Sequence, residues 1–140
     1  MLSEVLPRIW IGDKGVVYDA RMLRAVSATH ILNCAVELSY TYPCELAEQH
    51  KIPMIDDDDP LAPKQIREAA DKIQKWMENP YSVVIVHCAA GVSRSPTVVL
   101  AWMIIYLGMS LETAYSTIQR HRSFIQPNDF YMRLLKELDN

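Results

Sequence analysis

At 140 residues, half of them hydrophobic and 22% charged, the chain has room for one domain, and its formal net charge of −3 excludes a general basic surface for nucleic acid or an anionic membrane. Any anion it handles must be attracted locally. No Gly/Ser/Pro-rich linker, internal repeat or low-complexity tract divides the chain, so one domain over residues 1–140 is expected.

The opening run MLSEVLPRIW has neither a basic segment leading into an apolar one nor a glycine at position 2, and the closing KELDN carries no prenylation box, so a cytoplasmic or nuclear protein is expected. In chain order, RIWI at Arg8–Ile11 with Gly12-Asp13 predicts a short strand and turn, and DARMLRAV at Asp19–Val26 has helical spacing. HILNC at His30–Cys34 and KIPMI at Lys51–Ile55 predict two more strands. Between Lys64 and Met77, Ile66, Ala69, Ala70, Ile73, Trp76 and Met77 share one stripe opposite the charges, which predicts an amphipathic helix lying on a sheet.

SVVIV at Ser82–Val86 is apolar on both faces, as a central strand covered on both sides would be. Pro96 and Gly108 punctuate a helix over Ser95–Leu107. The apolar run Val98–Met109 is shorter than the roughly 20 residues that span a bilayer and reads as part of that buried helix. Leu111–Arg122 and Asp129–Leu138 predict two amphipathic helices, the second with Phe130, Leu134, Leu135 and Leu138 inward. The expected architecture is α/β: a sheet flanked by helices.

The chemistry concentrates in HCAAGVSRS, residues 87–95, where a buried strand gives way to a helix. Ligands bind at the carboxyl ends of strands in such sheets. A loop entering a helix N-terminus can turn successive backbone N–H groups inward as an anion nest, and Ala89, Ala90 and Gly91 are small enough to let it close on a phosphate. Cys88, at the base of the nest, is the candidate nucleophile, because the N–H groups and Arg94 favour its thiolate. Arg94 offers a planar fork for two phosphoryl oxygens. Three cysteines, Cys34, Cys44 and Cys88, without a CxxC pair, give neither a disulfide framework nor a zinc site. No Gly-Lys-Ser/Thr ending and no clustered carboxylates suggest nucleotide or magnesium, so metal-free phosphoryl transfer to sulfur is expected.

His-Cys, five intervening residues and Arg-Ser, between an apolar strand and a Pro-started helix, resemble the signature of the cysteine-dependent protein phosphatases. HCxxGxSRS more narrowly resembles the dual-specificity branch. LPRIWIGD, HILNCA, IPMIDDDDP and QPNDFYMRLL also look like segments of small atypical members. The resemblance implies a five-stranded, mostly parallel sheet, no cofactor, no metal, a phosphoprotein substrate and a phosphocysteine intermediate on Cys88.

It further implies a phosphate cradle of Ala89, Ala90, Gly91, Val92, Ser93 and Arg94, and a general acid on the loop after the KIPMI run, where Asp56 is the first choice and Asp57 the second. Ser95 resembles the hydroxyl that helps Cys88 leave the phosphoenzyme, with a helix cap as the plainer role. His87 is expected to bond backbone around the loop, Ser93 and Asn33 to support it, and Arg122 to present a second basic group near the pocket or to be an ordinary exposed helix arginine. The uncharged AAGVS interior disfavours a phosphoinositide substrate. An RNA triphosphatase would show an Asn-containing loop, a rhodanese a different Cys-to-Arg spacing, and a phosphate-binding pseudoenzyme would lack the Cys or the Asp.

Overall fold

The computed structural model of the protein describes residues 1–39 and 41–139. The elements follow as β1 (Leu2–Leu6), β2 (Ile9–Gly12), a 3-10 turn (Val16–Tyr18), α1 (Ala20–Ala25), β3 (His30–Asn33), β4 (Glu48–Lys51), α2 (Ala62–Met77), β5 (Val84–His87), α3 (Arg94–Leu107), α4 (Leu111–His121) and α5 (Asp129–Leu138). They build a five-stranded sheet in the order β1-β2-β5-β3-β4, parallel except for β1 against β2.

β5 is central because its side chains are apolar on both faces. Val84 and Val86 point into the larger core with Leu32, Ile9 and Ile11, while Ile85 points into a smaller core with Ile31, Val17 and Leu23. The period of two continues past the strand, so Cys88 joins the larger core. α3 is buried from Arg94 through Ile104, as expected of a helix apolar on all sides, and ends at Gly108 in the left-handed conformation, φ 68°. α2 packs alongside it, with Trp102 Nε1 donating to Gln74 Oε1 at 3.0 Å.

Two strands differ from the sequence expectation. β1 went unpredicted because its inward residues are Ser3 and Val5, not an apolar pair, and because the hairpin to β2 turns through Pro7-Arg8 without the usual glycine or asparagine. Arg8 holds φ 71° there, anchored by Nη1 to Asn79 O at 2.9 Å and Ser82 O at 3.0 Å. The fourth strand is Glu48–Lys51, starting three residues before the predicted Lys51–Ile55 and sharing only Lys51 with it. Its residues, EQHK, lie on an exposed edge and carry no strand pattern, while Pro53 lacks the N–H a ladder needs. Residues 52–55 instead leave the sheet at its carboxyl edge, Ile52 N bonding Asn33 O at 2.8 Å.

Packing also shifts two helix starts and the inner face of α5. α2 begins two residues before Lys64, and α3 begins at Arg94, so Pro96 lies inside the first turn, where its missing N–H is harmless. On α5 the deepest residues are Tyr131 and Leu135, with Phe130, Leu134 and Leu138 only partly buried.

Candidate active site

Three parallel strands end at one level, Gly12 and Asn33 flanking His87, so the segments that follow them meet at one edge of the sheet. The loop Cys88–Ser93 then turns into α3. Every carbonyl in it is held from outside. Cys88 O accepts from His87 Nδ1 at 3.3 Å, Ala89 O from Lys14 N at 2.9 Å, Ala90 O from Arg122 Nη2 at 3.3 Å and Gly91 O from Arg122 Nε at 2.8 Å. Val92 O accepts from Gln126 N at 2.7 Å, and Ser93 O from Thr97 N at 3.0 Å and Thr97 Oγ1 at 2.7 Å.

In a trans peptide the N–H points opposite to the C=O. With the carbonyls of 88–93 held outward, the amides of 89–94 face the interior of the loop, and none has a hydrogen-bond partner among the described residues. Backbone amides turned to one interior without a protein partner are suited to an anion, with the dipole of α3 adding to them. Gly91, at φ 67°, makes the inward turn.

Arg94 is nearly buried, and its donors divide into two sets. Nη1 donates to Glu37 Oε1 at 2.7 Å and to Met54 O at 3.0 Å, and Nη2 donates to Glu37 Oε2 at 2.6 Å. That uses the end-on fork and leaves the Nε–H and the second Nη2 proton, the side-on fork, without partners among the described residues. The pair holds Glu37 ionised, its pKa pulled down to about 2 chiefly by the hydrogen bonds from Arg94. Sequence reading missed Glu37, whose only link to Arg94 is through the fold. Asn33, expected to support the signature loop, supports Glu37 instead: it closes the turn after β3, donating to Leu38 O at 2.8 Å and accepting from Ala35 N at 2.9 Å.

Cys88 Sγ lies 3.2 Å from Ser95 Oγ, with both residues buried. Ser95 sits inside the first turn of α3 with its hydroxyl on the sulfur, so it is not the helix cap. Ser93 occupies the cap position without capping, because its hydroxyl is used elsewhere. Cys34 is Cys88's neighbour across the sheet, its N bonding His87 O at 2.8 Å and its side chain in the same core, where burial pushes its thiol pKa well up. Cys44 lies on the opposite face.

Asp56 reaches the loop: Oδ1 accepts from Ser93 Oγ at 2.8 Å and from Asn128 Nδ2 at 2.9 Å. Ser93 Oγ in turn accepts from Asn128 N at 3.0 Å, and Tyr131 donates its hydroxyl to Ile55 O. Asn128, the cap of α5, and Tyr131 thus staple the aspartate segment to the signature loop, and neither was singled out from sequence. The carboxylate of Asp57 closes locally on Asp58 N at 2.7 Å, and that of Asp59 on Leu61 N at 3.0 Å. Of the acidic quartet, Asp56 is the member bonded to the loop.

His87 is fully buried, and desolvation lowers its pKa to about 4. A carbonyl can only accept, so the bond to Cys88 O places the proton on Nδ1, and the neutral ring accepts at Nε2 from Tyr42 Oη at 2.8 Å. This gives a pH signature. Unfolded His87 takes up a proton near 6.5 and the folded ring only near 4, so its effect is absent above pH 6.5 and folding stability falls as pH drops from 6.5 toward 4. The loss should reach about 3 kcal/mol. Thermal unfolding measured across that window should show a shallower slope in His87→Gln than in the native protein.

Arg122 lies against the signature loop, near the pocket, but behind it and not facing it, and it is not an exposed helix arginine. It is 1% exposed, just past α4, on the carbonyl side of the loop.

The sequence model described as "Dual specificity phosphatase, catalytic domain" matches residues 9–140. Dual specificity protein phosphatase 13B of Mus musculus is 35% identical over 147 residues, which span 99% of this chain and 73% of the relative. Dual specificity protein phosphatase 26 of Homo sapiens is 35% identical over 146 residues, which span 98% of this chain and 66% of the relative. The chain thus spans only about two-thirds of that relative's length. In fold it is similar to DUSP15, with a TM-score of 0.88 at 24% identity, covering 99% of this chain and 86% of that one. Human DUSP28 gives a TM-score of 0.86 at 19% identity, covering 99% of this chain and 92% of that one. With a family match that runs from β2 to the end of α5, and relatives aligned over nearly its whole length, the chain belongs to the dual specificity phosphatase family and is a cysteine-dependent protein phosphatase.

Proposed function

We propose that the protein hydrolyses phosphotyrosine, and also phosphoserine and phosphothreonine, on protein substrates through a phosphocysteine on Cys88. The observation that carries this reading is the inward-facing set of amides 89–94 beside the unused side-on fork of Arg94, which together match the oxygens of one phosphoryl group. In the first step the Cys88 thiolate attacks phosphorus, the P–O bond to the side chain breaks, and Asp56 gives its proton to the leaving oxygen. In the second, water attacks the phosphocysteine, the Asp56 carboxylate takes its proton, and the P–S bond breaks. Ser95 Oγ, 3.2 Å from the sulfur, donates to the departing thiolate, and inorganic phosphate leaves.

The loop carries no charged side chain between Cys88 and Arg94, which supports one phosphate over a polyphosphorylated lipid. Val36, Ile55 and Phe124, each between 42% and 50% exposed, belong to the segments bonded to the loop and Arg94, and they supply apolar contact to the residues around a phosphorylated side chain. A panel of phosphotyrosine, phosphoserine, phosphothreonine peptides and phosphoinositides, assayed with EDTA present, tests the reading. All three kinds of phosphopeptide should be turned over and the lipids left intact. Activity confined to the lipids, or lost with EDTA, would contradict it.

A further inference from the structure

Arg122 is a buried guanidinium without an acidic partner among the described residues. All its hydrogen bonds go to neutral oxygens: Nε to Gly91 O at 2.8 Å, Nη2 to Ala90 O at 3.3 Å, and Nη1 to Met1 O at 3.0 Å, Ser3 Oγ at 3.0 Å and Ile11 O at 3.4 Å. The ring of Phe124 covers it, 4.5 Å from centroid to guanidinium carbon. A buried charge with no counter-ion in direct contact is unfavourable unless something else compensates it. The Asp13 carboxylate lies within its electrostatic reach without a hydrogen bond to it, and in the working enzyme two more anions face it across the loop: the Cys88 thiolate, also within reach, and the phosphoryl group.

The fit between arginine and loop is close. A Cβ at Gly91 would lie 2.4 Å from Arg122 Nη2 and 2.8 Å from Gly12 O, so glycine at 91 and arginine at 122 require each other's shape. By holding the carbonyls of Ala90 and Gly91 outward, Arg122 dictates that the N–H groups of Gly91 and Val92 point inward. No other side chain among the described residues holds two carbonyls of the loop.

We propose that Arg122 is a positioning residue for phosphoryl binding: from behind the loop it fixes two of the cradle's amides and places a permanent positive charge opposite the thiolate, without touching substrate. The proposal rests on the reading of Cys88 as nucleophile, and its test separates the two. Arg122→Met and Arg122→Lys would be compared with the native protein for inhibition by inorganic phosphate, for the rate at which neutral iodoacetamide alkylates Cys88 at pH 6, and for thermal stability.

In Arg122→Met the phosphate inhibition constant should rise about tenfold or more, the value of one hydrogen bond to a charged group, and alkylation should slow by roughly fivefold or more. In Arg122→Lys alkylation should recover, because the charge is kept, while phosphate stays weak, because one ammonium cannot span two carbonyls. A merely stabilising arginine would lower the unfolding temperature and leave both readouts at native values, which would overturn the proposal. Recovery of phosphate affinity in the lysine variant would overturn its positioning half. Should the methionine variant fail to fold, phosphate inhibition of the lysine variant alone decides. Native protein whose Cys88 is no more reactive than Cys34 or Cys44 would contradict the nucleophile reading instead.

Discussion

Cys88→Ser is expected to reduce turnover of any phosphomonoester by a factor on the order of 10⁴ or more while leaving phosphate binding in place. The two halves of this expectation have separate origins. The proposed cradle consists of the amides of 89–94 and the side-on fork of Arg94, none of which belongs to the sulfur, and their orientation is set by partners outside the loop such as Lys14, Arg122 and Gln126. Serine fits the site, since Cys88 is 2% exposed and loses only volume in the exchange. A hydroxyl beside the same amides is not ionised at neutral pH, so the nucleophile disappears and the binding site stays. Phosphate or a phosphopeptide should therefore still protect the variant against thermal unfolding, in proportion to its saturation. A serine variant that neither turns over nor binds would mean that the cradle depends on the thiolate and is not preformed.

Asp56→Asn should lower kcat by roughly 10² to 10⁴ on phosphopeptides, whose leaving oxygen needs a proton, and far less on an aryl phosphate whose phenol leaves readily as the anion. Asparagine is the informative replacement because its side-chain carbonyl can keep the bonds that Asp56 Oδ1 accepts from Ser93 Oγ and Asn128 Nδ2, so the segment stays docked and only the transferable proton is lost. Asp57→Asn should change neither rate by more than about twofold, since the Asp57 carboxylate closes on its own neighbour, Asp58 N. Equal losses on both substrates in Asp56→Asn would assign it a positioning role in place of proton transfer, and a large loss in Asp57→Asn would move the acid by one residue.

The contrast between Asp56 and Asp57 marks where the sequence stops being readable. Four consecutive aspartates are locally alike, and what separates them is contact with Ser93 and Asn128, 37 and 72 residues away. The same holds for Glu37, 57 residues from Arg94, and for Arg122, 31 residues from Gly91. These partners meet because three strand ends share one edge of the sheet, and nothing in their own neighbourhoods announces it.

By contrast, the central strand, the signature loop and α3 were legible, because their signals are local: a branched apolar run, small residues, a proline in the first helical turn and a glycine at the left-handed end. β1 and β4 were not, because edge strands satisfy half their backbone with solvent and tolerate sequences such as EQHK. Arg122 is near the pocket, but its orientation was not legible: a basic residue near an anion site suggests contact with the anion, whereas this one grips the carbonyls behind the loop.

The proposed route takes phosphate through sulfur. It is tested most directly by acid-quenching the native protein during turnover of a phosphopeptide and locating the covalent phosphate by mass spectrometry of its peptides. One phosphoryl group is expected, on the peptide containing Cys88, absent from Cys88→Ser and increased in Ser95→Ala, where the thiolate loses the hydroxyl 3.2 Å away that helps it leave. Phosphate found on another residue, or turnover with no covalent phosphate on Cys88 in either the native protein or Ser95→Ala, would contradict it.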